Sequence, residues 1–185
     1  WRERFQVGDF PFLIVQLSTQ GPKQTNPVEA GYGEIRESQW RTARTFPNTG
    51  LAVAVDIGDE PVPNIHPKNK QEVGRRLALV ARRMVYGELE LETSGPEFTN
   101  MMLERIPDET PDAPRRFCNR LYFSHVGGGL VFKGDGAKPN GFAVSEDDKN
   151  YFWADAKIEG HTVVVSAPEV NVPRYVRYAW AYSPV

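Results

Sequence analysis

The chain has 185 residues, 40% of them apolar and 11% aromatic, enough to build a hydrophobic core in one ordinary domain or two small ones. A formal charge of −2 and a sequence pI near 6.0 leave no basic footprint, which argues against nucleic acid and anionic membranes as partners. A single cysteine, Cys118, excludes an intrachain disulfide, and no apolar run approaches the roughly 18 residues of a membrane-spanning helix.

Trp1 and Phe5 stand four residues apart in a charged segment, a helical spacing, and a first residue other than methionine suggests processing or a fragment. Phe10 to Leu17 is an apolar run without polar alternation, the pattern of a strand buried on both faces. Gln16 is the polar break near its carboxyl end and a candidate to line a cleft there; a residue that merely ends a strand is the plainer reading. Ser18 to Gly33 is a loop rich in Gly, Pro, Asn and Gln. Ile35, Gln39 or Trp40, and Ala43 recur at helical spacing over Glu34 to Thr45, which predicts a crossover helix leading to a second parallel strand, Leu51 to Val55.

That second strand ends at Asp56 and Gly58, and a Pro-rich loop then delivers His66 to the start of a long amphipathic helix. His66 therefore falls beyond the carboxyl end of a strand, where open α/β sheets bind ligands, and an imidazole there is a candidate acid/base. A capping or packing histidine is the alternative. Asn69 and Glu72 have capping-box spacing, while Pro67 could instead occupy the first helical position. Val73, Leu77, Val80, Ala81, Met84 and Val85 form one apolar stripe; Arg75, Arg76, Arg82 and Arg83 fall mainly off it and read as a solvated face. Gly87 is the expected stop.

After Gly87 the periodicity shortens. Leu121 to Val126, Leu130 to Lys133, Gly141 to Val144, Ala154 to Ile158, Thr162 to Ser166 and Arg174 to Ala181 read as short antiparallel strands separated by turn residues, the members of a small sandwich, with Asp135-Gly136 and Asn140-Gly141 as turn signals. Glu97 to Pro114, with three prolines, reads as an irregular connection. The expected division is residues 1–87 and 88–185. His66, His125 and His161 match no metal motif, and no dinucleotide fingerprint, P-loop or serine elbow is present, so neither metal nor cofactor is predicted. Tyr151, Trp153, Tyr175 and Trp180 are either core residues or a sugar-stacking platform.

The stretch Asn64-Ile65-His66-Pro67-Lys68-Asn69-Lys70, with Val73-Gly74-Arg75-Arg76-Leu77-Ala78-Leu79 and Tyr86-Gly87, resembles the last catalytic block of the sialate O-acetylesterase family of SGNH hydrolases. Upstream, Gly8 to Phe12, Val15 to Leu17, Ile35 to Gln39, Asn48 to Ala52 and Asp56 to Asp59 resemble blocks of that family in the same order. Downstream, Val163 to Val170 and Val176 to Ala181 resemble its carboxyl end. The resemblance implies an α/β fold, the second half of a flavodoxin-like SGNH hydrolase sheet followed by a small antiparallel β-sandwich domain.

By that resemblance His66 is the histidine that carries the proton of a nucleophilic serine. Relatives often place an aspartate two or three residues before it; here Asn64 and Pro63 stand there. The acceptor for the second ring nitrogen is then the Asn64 oxygen, a loop carbonyl, or Asp56 or Asp59 folding back. The Gly-rich serine block and the oxyanion blocks of the family are absent from these 185 residues, so the chain alone is expected to be inactive. Apolar strands lacking neighbours give the same expectation of a second polypeptide that completes the sheet and carries the serine. The implied substrate is an acetylated carbohydrate, and the implied compartment is secreted, periplasmic or lysosomal. A carbohydrate-binding module without catalysis and an inactive structural relative are the alternative functions.

Overall fold

The computed structural model describes residues 1–27, 29–58, 64–107, 115–132 and 141–184. They divide into two compact units, residues 1–23 with 30–94, and residues 24–29 with 95–185, and the fold is mixed α/β with several sheets.

The first unit contains a short helix α1 (Arg2–Phe5), strand β1 (Phe12–Val15), helix α2 (Gly31–Thr45), strand β2 (Thr49–Ala52) and helix α3 (Lys70–Met84). β1 and β2 pair in parallel, from Phe12 opposite Thr49 to Val15 opposite Ala52, with α2 as the connection. Both strands are shorter than the apolar runs that announce them. β1 also departs from the expected burial on both faces: Phe12, Leu13 and Ile14 are half-buried and Val15 is 39% exposed. The cause is the sheet itself, which has two strands among the described residues and so covers each with one neighbour.

α3 starts where the capping spacing places it. Asn69 is the N-cap, and its side-chain oxygen accepts the Glu72 N–H at 3.1 Å. The helix proper ends at Met84; Gly87 follows with φ 77°, the left-handed conformation that releases the chain. The arginines are not uniformly solvated as expected. Arg76 turns inward to the Val53 carbonyl (2.9 Å), and Arg83 reaches the Leu91 carbonyl (2.9 Å), whereas Arg75 and Arg82 pair on the surface with Glu72 and Glu88. Backbone carbonyls left unpaired beyond a strand or a helix end attract guanidinium forks, which a helical-wheel reading of charge does not register.

In the second unit, strands β3 (Glu97–Arg105), β4 (Phe117–Ser124), β7 (Asp155–Glu159) and β8 (Thr162–Ser166) form an antiparallel sheet of order β3-β4-β8-β7. β5 (Phe142–Ser145), β6 (Phe152–Trp153) and β9 (Tyr175–Tyr178) form a second sheet of order β6-β5-β9. β3 corrects the irregular connection expected over Glu97 to Pro114. It pairs along β4 from Glu97 opposite Ser124 to Arg105 opposite Phe117, with one irregularity between Phe98 and Asn100. Leu130 to Phe132 lie outside any strand, and the predicted turns at Asp135-Gly136 and at Asn140 fall outside the described residues. Residues from both sheets, including Leu121, Phe142, Val144, Val163 and Val165, meet in one buried cluster. Along β8 the buried Val163 and Val165 alternate with half-exposed neighbours, the period of two that a strand imposes.

Candidate active site

The strand β1 runs out of sheet at Val15, and what holds the next residues in place comes from α2. The Gln16 N–H still donates to the Ala52 carbonyl (2.9 Å), but the Leu17 N–H donates to Gln39 Oε1 (2.8 Å). Arg36, one turn before Gln39 on the helix, donates through Nε to the Leu17 carbonyl (3.0 Å) and through Nη2 to the Ser18 carbonyl (2.8 Å). Arg36 is 5% exposed, and burial pulls its guanidinium down to about 10, still far enough above neutrality to stay charged.

This clamp shapes a crevice of about 210 Å³ outside the carboxyl ends of β1 and β2. Gln16, Leu17 and Ser18 form one side of its lining, Ala54 follows β2, and Lys70 and Val73 belong to the first turns of α3. Ile65 and Pro67, the residues on either side of His66, complete it, and His66 itself is exposed. The location agrees with the general placement of ligands in open α/β sheets. Gln16 is among the residues that line the crevice, and its Oε1 is buried with no hydrogen-bond partner among the described residues.

The Asn64 side-chain oxygen accepts the backbone N–H of His66 at 2.9 Å. This Asx turn fixes the loop around the histidine and leaves a lone pair on the same oxygen for a further donor. Asp56 is held by Arg76 through two bonds (2.6 and 2.7 Å), and Arg76 also takes Glu72 (2.8 Å). The Asp56 hydrogen bonds raise Arg76 further above its ordinary value. The Asp56 carboxylate thereby joins the β2 end to α3. Asp59 and Pro63 lie outside the described residues. Arg36, Gln39 and Ser18 are the residues that reading the chain by periodicity passes over. A buried arginine and a glutamine three apart on one helix face are the signal that could have found the clamp.

In the second unit the four aromatic candidates behave differently. The Arg177 guanidinium lies over the Tyr151 ring (3.9 Å to its centre) and the Trp180 ring (4.8 Å), and Trp153 Nε1 donates to the Thr25 carbonyl (2.7 Å). Tyr151, Trp153 and Trp180 line a cavity of about 10 Å³, room for one water, and Tyr175 is exposed apart from them. Among the described residues no helix is long and apolar enough to cross a membrane, and no cluster of three or more metal-binding side chains occurs.

The sialate O-acetylesterases of Homo sapiens and Mus musculus are 39% and 40% identical to this chain over 113 residues, 52% of the chain. The crystal structure of a carbohydrate acetylesterase from Xanthomonas citri superimposes on 99% of the chain with a TM-score of 0.74 at 33% identity. No protein-family model matches. The mixed α/β fold is thus one shared with a carbohydrate acetylesterase. The chain belongs to the sialate O-acetylesterase family, of which it carries the carboxyl-terminal part. The match spans 21% of the human relative and 39% of the Xanthomonas chain.

Proposed function

We propose that this chain is the histidine-bearing part of a carbohydrate O-acetylesterase, with the nucleophilic serine supplied by a segment or chain outside these residues. The observation that carries the reading is the crevice at the strand ends, bounded by the two neighbours of His66, in a chain whose relatives are acetylesterases. Residues 1–87 then act as the second half of a flavodoxin-like catalytic sheet and residues 88–185 as a small β-sandwich domain. The partners are an acetylated carbohydrate and a serine-bearing polypeptide, and the compartment is secreted, periplasmic or lysosomal.

In this mechanism the serine oxygen attacks the acetyl carbonyl while its proton passes to the neutral His66 ring. The imidazolium returns that proton to the sugar oxygen as the C–O ester bond breaks, which releases the sugar and leaves an acetyl-serine. Water repeats the sequence, its proton passing through His66 back to the serine oxygen, and acetic acid leaves. Asn64 is the residue assigned to orient the ring, and Gln16 the residue assigned to contact the sugar.

The test is acetate release from an acetylated sugar by the chain combined with its serine-bearing partner. His66→Ala should lower kcat by about 10²–10⁴-fold without altering the far-ultraviolet spectrum. Retention of activity within a few-fold would remove His66 from the mechanism. Acetate release by the purified chain alone, shown by intact mass to be a single polypeptide, would refute the need for a second component.

A further inference from the structure

The α2 clamp satisfies backbone groups at the end of β1 but leaves buried polar atoms of Gln16, Ser18 and Thr19 without a partner among the described residues, and of these three Gln16 and Ser18 line the crevice. The atoms concerned are Gln16 Oε1 and Ser18 Oγ, both buried without a hydrogen-bond partner among the described residues, and Ser18 is 4% exposed. A buried polar group in that state costs stability comparable to a lost hydrogen bond, so its persistence at a cavity wall points to a partner from outside the chain. The two positions are separated by one residue.

The chemistry of the pair is mixed. Gln16 presents an acceptor, and the Ser18 hydroxyl both donates and accepts. An alcohol complements that set because it too donates and accepts. A carboxylate does not, since it has only acceptors to set against Gln16 Oε1. Leu17, Ala54 and Val73 add apolar surface suited to the C–H faces of a sugar ring, and Lys70 adds a cation that acts on the charge of a sugar rather than on its hydroxyls.

We infer that Gln16 and Ser18 form a hydroxyl-recognition wall, which takes a free ring hydroxyl of the sugar beside the esterified position and makes Ser18 a specificity-determining residue. The word "esterified" rests on the proposed function; the binding does not.

The probes are N-acetylneuraminic acid and methyl β-xyloside, titrated separately into the isotope-labelled chain. At least one should shift the Gln16 and Ser18 amide signals and the Gln16 side-chain signals saturably. Ser18→Ala should weaken that binding by about three- to tenfold, the loss of one neutral hydrogen bond, and analogues lacking the recognised hydroxyl should lose the same factor in the native chain but not in the variant. Ser18→Ala should not lower the melting temperature, because the hydroxyl bonds nothing among the described residues. Absence of a saturable shift at these residues with both sugars, equal affinity of variant and native chains, or a clear fall in melting temperature would each overturn the wall.

Acetate release by the assembled enzyme separates the two claims. Ser18→Ala should change the ratio of kcat/KM for an acetylated sugar to that for 4-nitrophenyl acetate by the same factor, and an unchanged ratio in an active enzyme overturns the wall alone. Sugar binding at Gln16 and Ser18 in an assembly that never releases acetate supports the wall and removes the esterase reading.

Discussion

The two units of this chain handle apolar surface in opposite ways. In the second, Val144 and Val165 are wholly buried within a cluster drawn from both sheets. In the first, the most apolar strand, Phe12–Val15, has no fully buried residue, and the least exposed apolar residues of the unit are the small Ala30, Ala52 and Ala54. Antiparallel strands close on their sequence neighbours through short turns. Parallel strands need crossovers, so a parallel sheet of two is a fragment of a layer rather than a layer. The difference is one of coverage: β1 has one strand neighbour among the described residues, while the second unit's cluster is closed by its own two sheets.

The largest expected effect tests that contrast directly. Leu121→Ala, in the second unit's cluster, should destabilise its sheet by about 2–5 kcal/mol. Ile14→Ala removes a comparable side chain from β1 but should cost the lone chain only about 1 kcal/mol, since much of that surface is already wet. Hydrogen exchange read separately at β8 and at β2 keeps the two units apart. Equal costs would mean that β1 is already buried and needs no neighbour. A cost at Ile14 that rises on adding a serine-bearing component of the kind proposed would place further strands beside β1.

A second substitution asks whether the first unit is loose everywhere or only at the edge of its sheet. Gly50 lies on β2 under α3, and a methyl group there would sit 3.2 Å from Leu13 Cδ2, 2.5 Å from Val80 Cγ1 and closer still to Met84 Sδ. Val80 is buried and β-branched, with little rotamer freedom to yield. Gly50→Ala should therefore cost about 1–3 kcal/mol, seen as a lower melting temperature and faster exchange in α3. An unchanged melting temperature would mean that α3 rides loosely on β2 and that the whole unit, not just its edge, awaits packing.

The helices were legible because their signals are local. The stripe from Val73 to Met84 and the Asn69-x-x-Glu72 cap specify α3 without reference to anything distant. β8 was legible for the same reason, as a short β-branched run, Thr162 to Ser166, that follows the Glu159-Gly160 turn signal. β3 was not, because Phe98, Met101, Met102 and Leu103 follow no alternation and remain 43–54% exposed, so its strand character comes from β4 and not from its own pattern. At the candidate site, the position of His66 beyond a strand followed from chain order. The clamp of Arg36 and Gln39 on Leu17 and Ser18 did not, because it joins residues about twenty apart and depends on one arginine being buried. The fate of Asp56 was hidden likewise, since no spacing rule pairs it with Arg76 across the loop.

The smallest effect concerns what ties α3 to the end of β2, and its sign can be worked out. Side-chain hydrogen bonds from Arg75 and then Arg76 pull the Glu72 carboxyl from its ordinary 4.5 to about 2, and Arg76 continues to Asp56 and the Val53 carbonyl. A carboxyl whose folded value is depressed contributes stability that is fully present above its unfolded value and is lost as the pH falls through the folded one. The window is therefore about pH 4.5 down to about 2. Glu72 is partly exposed, so the effect is screened and modest. Glu72→Gln should lower the stability of α3 at pH 6, and native and variant chains should converge as the pH approaches 2. Asp147 and Glu159 in the second unit are also depressed, Asp147 chiefly by backbone N–H bonds and Glu159 by Lys157 and Arg120, so acid alone loosens both units and only the variant isolates the first. A native-to-variant difference at α3 that stays constant from pH 6 to 2 would show that Arg76 holds the β2 end through Asp56 without help from Glu72. In that case the loop leading to His66 would be anchored at one carboxylate rather than two.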